Sequence, residues 1–199
     1  KQTEAEERET VVAISELIEY YKGIFTTLSS CASRQLEEVT FRRATISVPE
    51  LMATAGKYFR KVYKGNKAHI DFKIQPLEGR ITGDWNQLRF LLENLIDEAC
   101  SVTLDGAVCL SAREDGEFIR FLFTDMRREK TREELNQLFY PDLSRMTAGE
   151  KGELYGTEYL VCKQIIRDHD EFAGRRGCRI NAEPGKEGGF TIYFTLPKK

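Results

Sequence analysis

The chain has 199 residues, 41% hydrophobic and 31% charged, which excludes a disordered polymer and leaves room for one full domain plus an accessory segment. Its net charge of −2 gives no broad electrostatic case for nucleic acid or an anionic membrane, and no apolar run approaches the ~20 residues that span a bilayer. Five cysteines (Cys31, Cys100, Cys109, Cys162 and Cys178) include no Cys-x-x-Cys pair, and His69 and His169 stand alone, so buried free thiols in a reducing compartment and no metal site are expected. The chain begins at Lys1 with no visible signal peptide and reads as a piece of a longer protein.

A long helix is predicted from about Glu4 to Glu38. Apolar residues at Val11, Ile14, Ile18, Tyr21, Phe25 and Leu28 make a heptad seam, weakened only at Gly23. Such a stripe needs a partner. The partner is either the same helix in a second chain or the body of this domain.

Ser47-Val48-Pro49-Glu50 reads as a helix start, with Ser47 as cap and Pro49 in the first turn; that helix runs to about Tyr63. Lys64-Gly65-Asn66-Lys67 makes a turn, and His69 to Ile74 alternates like a strand. Arg80-Ile81-Thr82 is short and extended. Asp84 opens a helix with Leu88, Leu91, Leu92, Leu95, Ile96 and Ala99 on one apolar side. Strands follow at Ala107–Ser111 and Phe118–Phe123, with Asp115-Gly116 as a hairpin signal between them. A short helix is predicted over Thr131–Phe139, a loop over Leu143–Gly156 and a helix over Thr157–Asp168. Two last strands, Arg179–Glu183 and Phe190–Leu196, flank the turn at Pro184–Gly189. Strand hairpins interspersed with a few helices indicate an α+β two-layer sandwich, with the helices beginning at Asp84 and Thr157 side by side on one face of a single mixed sheet.

Several stretches occur in a telling order. Asp84-Trp85-Asn86-Gln87-Leu88 leads into Leu92-Glu93-Asn94-Leu95-Ile96-Asp97-Glu98-Ala99. Phe123-Thr124-Asp125 comes next, then Gly156-Thr157-Glu158-Tyr159 and Cys162 to His169, and finally Gly188-Gly189-Phe190 through Phe194-Thr195-Leu196-Pro197. From Thr45 to Pro197 the chain resembles the ATPase domain of sensor histidine kinases, and the long first helix resembles the second helix of that family's dimerisation hairpin. The resemblance implies a two-layer α/β sandwich over 45–199, preceded by a dimerisation-type helix over 1–44. It also implies a cytoplasmic location, either free or as part of a longer, membrane-anchored protein. The implied partners are a second copy through the first helix and a response regulator or other signalling protein, with no nucleic acid and no membrane contact.

Carried over residue by residue, the resemblance gives a vestigial ATP site of Asn94, Asp125 and Gly156. Asn94 matches the first asparagine of the family's helix motif and Asp125 the aspartate that reads the adenine amino group. The second asparagine, the key magnesium ligand, is Glu98 here, and the basic residue three places on is Ser101. Where the family has Asp-x-Gly-x-Gly, this chain has Asp125-Met126-Arg127-Arg128-Glu129. Where it has Gly-Leu-Gly-Leu, this chain has Gly156-Thr157-Glu158-Tyr159. Close backbone approach to phosphate needs those bare positions. No histidine precedes His69, so no phosphoacceptor, catalytic residue or metal ligand is assigned.

Each feature also has a plainer reading. Asp125 is then a loop-start aspartate and Asn94 a polar contact to a neighbouring loop. Arg127, Arg128 and Lys130 are read as a solvated loop rather than a phosphate cluster, and Arg175-Arg176-Gly177 as a surface loop. The leading expectation is a degenerate, catalytically silent histidine-kinase-like domain that dimerises, transmits signals and takes no cofactor. One outcome open to it is that Arg127 pairs with Glu98 and fills the pocket. The alternative is an active kinase with an atypical ATP and magnesium pocket and an acceptor histidine upstream. An unrelated α+β interaction domain is the third.

Overall fold

The structure, a computed structural model, describes residues 41–64, 68–139, 157–186 and 188–199, and the side chains of Thr157 and Glu158 are not among what it describes. The helix expected over Glu4–Glu38 and the whole loop expected over Leu143–Gly156 lie outside the described residues. The described part belongs to the compact unit Phe41–Lys199.

In chain order the unit runs β1 (Ala44–Ser47), α1 (Val48–Tyr63), β2 (Ile70–Gln75), β3 (Arg80–Gly83), α2 (Trp85–Ser101), β4 (Gly106–Asp115), β5 (Phe118–Asp125), α3 (Arg132–Gln137), α4 (Thr157–Phe172), β6 (Ile180–Pro184) and β7 (Phe190–Pro197). Five strands form a mixed sheet in the order β2-β4-β5-β7-β6, with β2–β4 parallel and the other pairs antiparallel. The expectation of one sheet needs correction. β1 and β3 pair with each other in a separate two-stranded ribbon, Ile46 opposite Ile81. Ser47 closes β1 and caps α1, so the segment before the helix is a strand rather than a bare cap.

Helix α1 forms because Val48, Leu51, Met52, Ala55 and Phe59 recur at helical spacing on one buried side. Pro49 sits where its missing N–H costs nothing. A Cβ on Gly56 would come within 2.6 Å of Ile74, so a residue without one lets α1 press onto β2. Tyr58 at the other side of α1 donates its hydroxyl to the Asp97 carboxylate at 2.9 Å and ties α1 to α2.

In β5 the burial alternates along the whole strand. Ile119, Phe121 and Phe123 are buried, while Arg120, Leu122 and Thr124 are half-exposed. This is the period of a sheet covered by helices on one face. Phe121 stacks on Phe194 of β7 with ring centroids 5.0 Å apart and planes 4° apart. Leu91, Leu95, Ile165 and Ile166, the apolar stripes of α2 and α4, are buried in the same core, and the two helices pack side by side as expected.

Helix α4 runs four residues beyond its expected end near Asp168. The extra turn holds His169, which is fully buried. Its Nδ1–H donates to the Ile165 carbonyl at 2.7 Å, and Nε2 accepts the Asp84 N–H at 3.0 Å. Phe41 meets the imidazole edge-on at 4.9 Å. Asp84 in turn caps α2, accepting the N–H groups of Asn86 and Gln87 on Oδ1, and takes the Arg42 N–H on Oδ2 at 2.7 Å. One histidine therefore joins the end of α4, the start of α2 and the chain entering β1.

That geometry has a pH consequence. Burial lowers the proton affinity of His169 below the ordinary value, while the Ile165 carbonyl and the Asp84 charge oppose it only in part. The unfolded chain, with an ordinary histidine value of about 6.5, takes up its proton first. The stabilisation is therefore complete above about pH 6.5 and is lost as pH falls from there towards the lowered folded value. Urea unfolding at pH 7.5, 6.5 and 5.5 should show this loss, and His169→Gln should remove that part of the slope. Asp170, lowered by Gly177 N–H, Arg176 and Cys178 N–H against the effect of burial, acts only below the ordinary carboxylate range.

Candidate functional site

The expected site residues do not behave alike. Asn94 turns its amide onto its own helix, donating to the Phe90 carbonyl at 2.7 Å, one turn back. Gly156 lies outside the described residues. Asp125 is the centre of the site. It ends β5, is 1% exposed, and stands beside the first residue of β7, Phe190, and near the start of β4.

Its carboxylate is fully engaged. Oδ1 accepts the Arg127 backbone N–H at 3.0 Å and Arg127 Nε–H at 2.8 Å. Oδ2 accepts Arg127 Nη2–H at 2.7 Å and Arg128 Nε–H at 3.0 Å. A carboxylate offers about four lone-pair sites, and four donors meet them. The fork-on-fork geometry with Arg127 is the strong, directional form of this contact.

Arg127 goes further. Nη2 also donates to the Ala99 carbonyl at 2.7 Å and Nη1 to the Leu104 carbonyl at 3.2 Å. Ala99 sits in the last turn of α2, where the final carbonyls lack backbone N–H partners within the helix, and that turn carries no basic residue of its own. The guanidinium caps it from the end of β5, where a cation also suits the helix dipole. The stem of Arg127 crosses Gly106, at the start of β4. A Cβ there would lie 2.9 Å from Arg127 Cγ, and Gly106 has φ of +131°, which glycine alone adopts freely.

The solvated-loop reading of Arg127 and Arg128 is therefore corrected. The Arg127 side chain is 0% exposed and that of Arg128 15%. An arginine buries itself this far only when paired, and here Asp125 provides the pair. The Arg127–Glu98 pairing that the sequence left open does not form: Arg128 Nη1 reaches Glu98 Oε1 at 3.1 Å, and Arg127 takes Asp125. Two carboxylates and two guanidiniums thus cancel within one cluster. Burial disfavours the Arg128 cation, but Asp125 first, then Tyr159 and Glu98, raise its proton affinity. Phe190 lies beneath it, with Arg128 and Lys130 each 5.4 Å from the ring centroid. Tyr159 is buried against Phe139, and burial aided by the Glu98 charge raises its phenol well above the ordinary value, with Arg128 opposing.

The surface-loop reading of Arg175-Arg176-Gly177 holds. Arg175 pairs with Glu117, and Arg176 with Asp170 at 3.2 Å, on an exposed loop. Among the described residues, Cys162 is buried and Cys100, Cys109 and Cys178 are half-buried, none of them in a disulfide. A cleft of about 280 Å³ between α3 and β6 is lined by Arg132, Asn136, Asn181, Pro184 and Tyr193 among others. It includes none of Asn94, Glu98 or Asp125. Sequence reasoning missed Gly106 and the two carbonyls at Ala99 and Leu104. A glycine opening a strand just after a helix was the one available signal.

Comparison with known proteins places the fold. Residues 83–199 match the model of the histidine kinase-, DNA gyrase B- and HSP90-like ATPases. The chain belongs to that family. It is similar to the adaptive-response sensory kinase SasA of Thermosynechococcus vestitus (strain NIES-2133 / IAM M-273 / BP-1), 26% identical over 177 residues, which cover 87% of this chain and 44% of SasA. The chain thus spans less than half the length of that relative. Among solved structures, the family fold recurs in full-length ShkA in complex with AMPPNP (TM-score 0.68, 16% identity, 96% of this chain and 39% of that one). It also recurs in Acinetobacter baumannii AdeS (0.65, 13%, 92% and 80%) and in the ThkA catalytic domain (0.59, 17%, 79% and 98%). Histidine-kinase catalytic domains therefore share the fold of this ATPase-family unit. Among the described residues no helix is long and apolar enough to cross a membrane.

Proposed function

We propose that this chain is a histidine-kinase-like domain of two-component-type signal transduction that has lost, or keeps only weakly, the binding of ATP. It works as a dimerising signalling or scaffold module in the cytoplasm, with a response regulator or another signalling protein as its partner. The observation that carries this reading is the saturated Asp125 carboxylate. A nucleotide base seeking that carboxylate must displace a buried guanidinium that also holds Ala99 and Leu104, so the residues present do not fit ATP at this place. Glu98, in the position of the second magnesium-binding asparagine, is held by Arg128 and brings negative charge towards a triphosphate. The helix faces that build the core are intact, and fold and chemistry are separable.

Titration calorimetry with and without magnesium tests it. The expected result is no magnesium-dependent ATP binding tighter than about millimolar, roughly 4 kcal/mol. Micromolar affinity overturns this reading and favours a sensor kinase with an atypical pocket and an acceptor histidine upstream. The assembly is tested separately by sedimentation. The 199-residue chain is expected to be dimeric at about tens of micromolar. Charged residues in place of Ile18 and Phe25 should give monomers or insoluble protein. A monomeric parent chain means that the N-terminal stripe packs against its own domain.

A further inference from the structure

The geometry points to a guanidinium receptor at the junction of α2, β4 and β5, with Arg127 as its resident, intramolecular ligand. The inference rests on the reading of this site as closed to nucleotide and names what closes it. Among the described residues the Arg127 guanidinium is held by four acceptors: both oxygens of Asp125, the Ala99 carbonyl and the Leu104 carbonyl. An all-acceptor site asks its ligand for N–H groups and nothing else. A single carboxylate asks for one positive charge. Two parallel bonds to one carboxylate ask for a flat fork. A guanidinium or amidinium meets all three demands. An ammonium has the charge without the fork, and a neutral purine has an amino group but also ring nitrogens that would face carbonyl oxygens.

The room for the ligand is built as well. Gly106, by having no side chain, leaves the passage through which the Arg127 stem enters, and its φ of +131° is one that other residues adopt only under strain. Arg128 lies beside the site, bridging Asp125 to Glu98. The chain thus carries both the receptor and its occupant, two residues after the carboxylate that anchors it. Tying the end of α2 to the end of β5, the bound guanidinium gives this end of the domain the ordering that a bound ligand would otherwise supply.

The test empties the receptor. In the 199-residue chain, Arg127→Gly removes the occupant, and thermal unfolding is followed with ethylguanidinium, ethylammonium or adenosine at equal low-millimolar concentration and matched ionic strength. The expected result is a lower Tm for the variant, restored by about 2–4 °C with ethylguanidinium several-fold above its Kd. Ethylammonium and adenosine should leave the variant unchanged, and the parent chain should respond to none of the three. No recovery with ethylguanidinium, or equal recovery with ethylammonium, overturns the receptor. Equal recovery with adenosine overturns the ligand class. Should the glycine variant not fold, the parent chain still decides. The Arg127 Nε–H resonance should be protected from solvent exchange at neutral pH, and rapid exchange there overturns the proposal. ATP affinity of the parent chain is a separate measurement, so failure of the nucleotide reading and failure of the receptor are told apart.

Discussion

Asp125→Ala is expected to lower the unfolding free energy by about 3–5 kcal/mol, the range for breaking a buried ion pair by removing one partner. The reason is what remains. Arg127, 0% exposed, would keep only the Ala99 and Leu104 carbonyls and no counter-charge, while Arg128 would retain Glu98. A buried unpaired charge is costly because water cannot reach it and the surrounding dielectric is low. The pair itself is worth much less than this loss. Replacing both members, Asp125→Leu with Arg127→Met, should therefore recover much of what the single change removes. Urea unfolding of the three proteins measures both effects, with m-values checked for constancy. A loss below about 1 kcal/mol for Asp125→Ala would put the pair in the class of surface bridges and contradict its burial.

The other large effect belongs to the sheet. Phe121→Ala is expected to cost about 3–5 kcal/mol through lost transfer energy and the cavity left behind. Phe121 sits at the middle of β5, fully buried, in parallel stacking with Phe194 on the neighbouring strand, so the site has little freedom to collapse. The next residue, Leu122, points to the other face and is half-exposed. Its change to alanine should cost less than half as much. Equal effects at the two positions would mean that both faces of β5 are covered to the same extent. Paired unfolding curves for the two variants decide the point.

Much of this molecule is legible in its sequence because short-range rules act within each segment. Ser47 with Pro49, Asp84 before Trp85, and Thr131 with Glu134 mark helix starts by the residues that satisfy the first free N–H groups. The apolar spacing of Leu88, Leu91, Leu92, Leu95 and Ile96 fixes which side of α2 is buried. The alternation in β5 does the same for the sheet. The turn between β4 and β5 was also visible, although the loop is Gly116-Glu117, with Asp115 already paired to Phe118. These signals give an α+β sandwich and the order of its elements from α1 onward.

What escaped is of another kind. Ala44–Ser47 is too short for a periodicity, and its partner β3 lies more than thirty residues on, so nothing local marks it as a strand. The position of Asp125 could be read from the residues around it, but its partner could not. Two adjacent arginines and two acids allow more than one pairing, and the sequence cannot rank them, because each choice depends on where α2 ends relative to β5. The fold sets Ala99 and Leu104 beside the end of β5, with Arg127 stretched over Gly106. From there Arg127 reaches Asp125 and Arg128 reaches Glu98, 30 positions away. The sequence by itself determined the helices and every strand but β1, their buried sides and the acidic residue at the end of β5, because those follow from neighbours along the chain. Only the tertiary structure decided that this acid is neutralised from within, because burial and long-range hydrogen bonding select among charges that look equally solvated when read in a line.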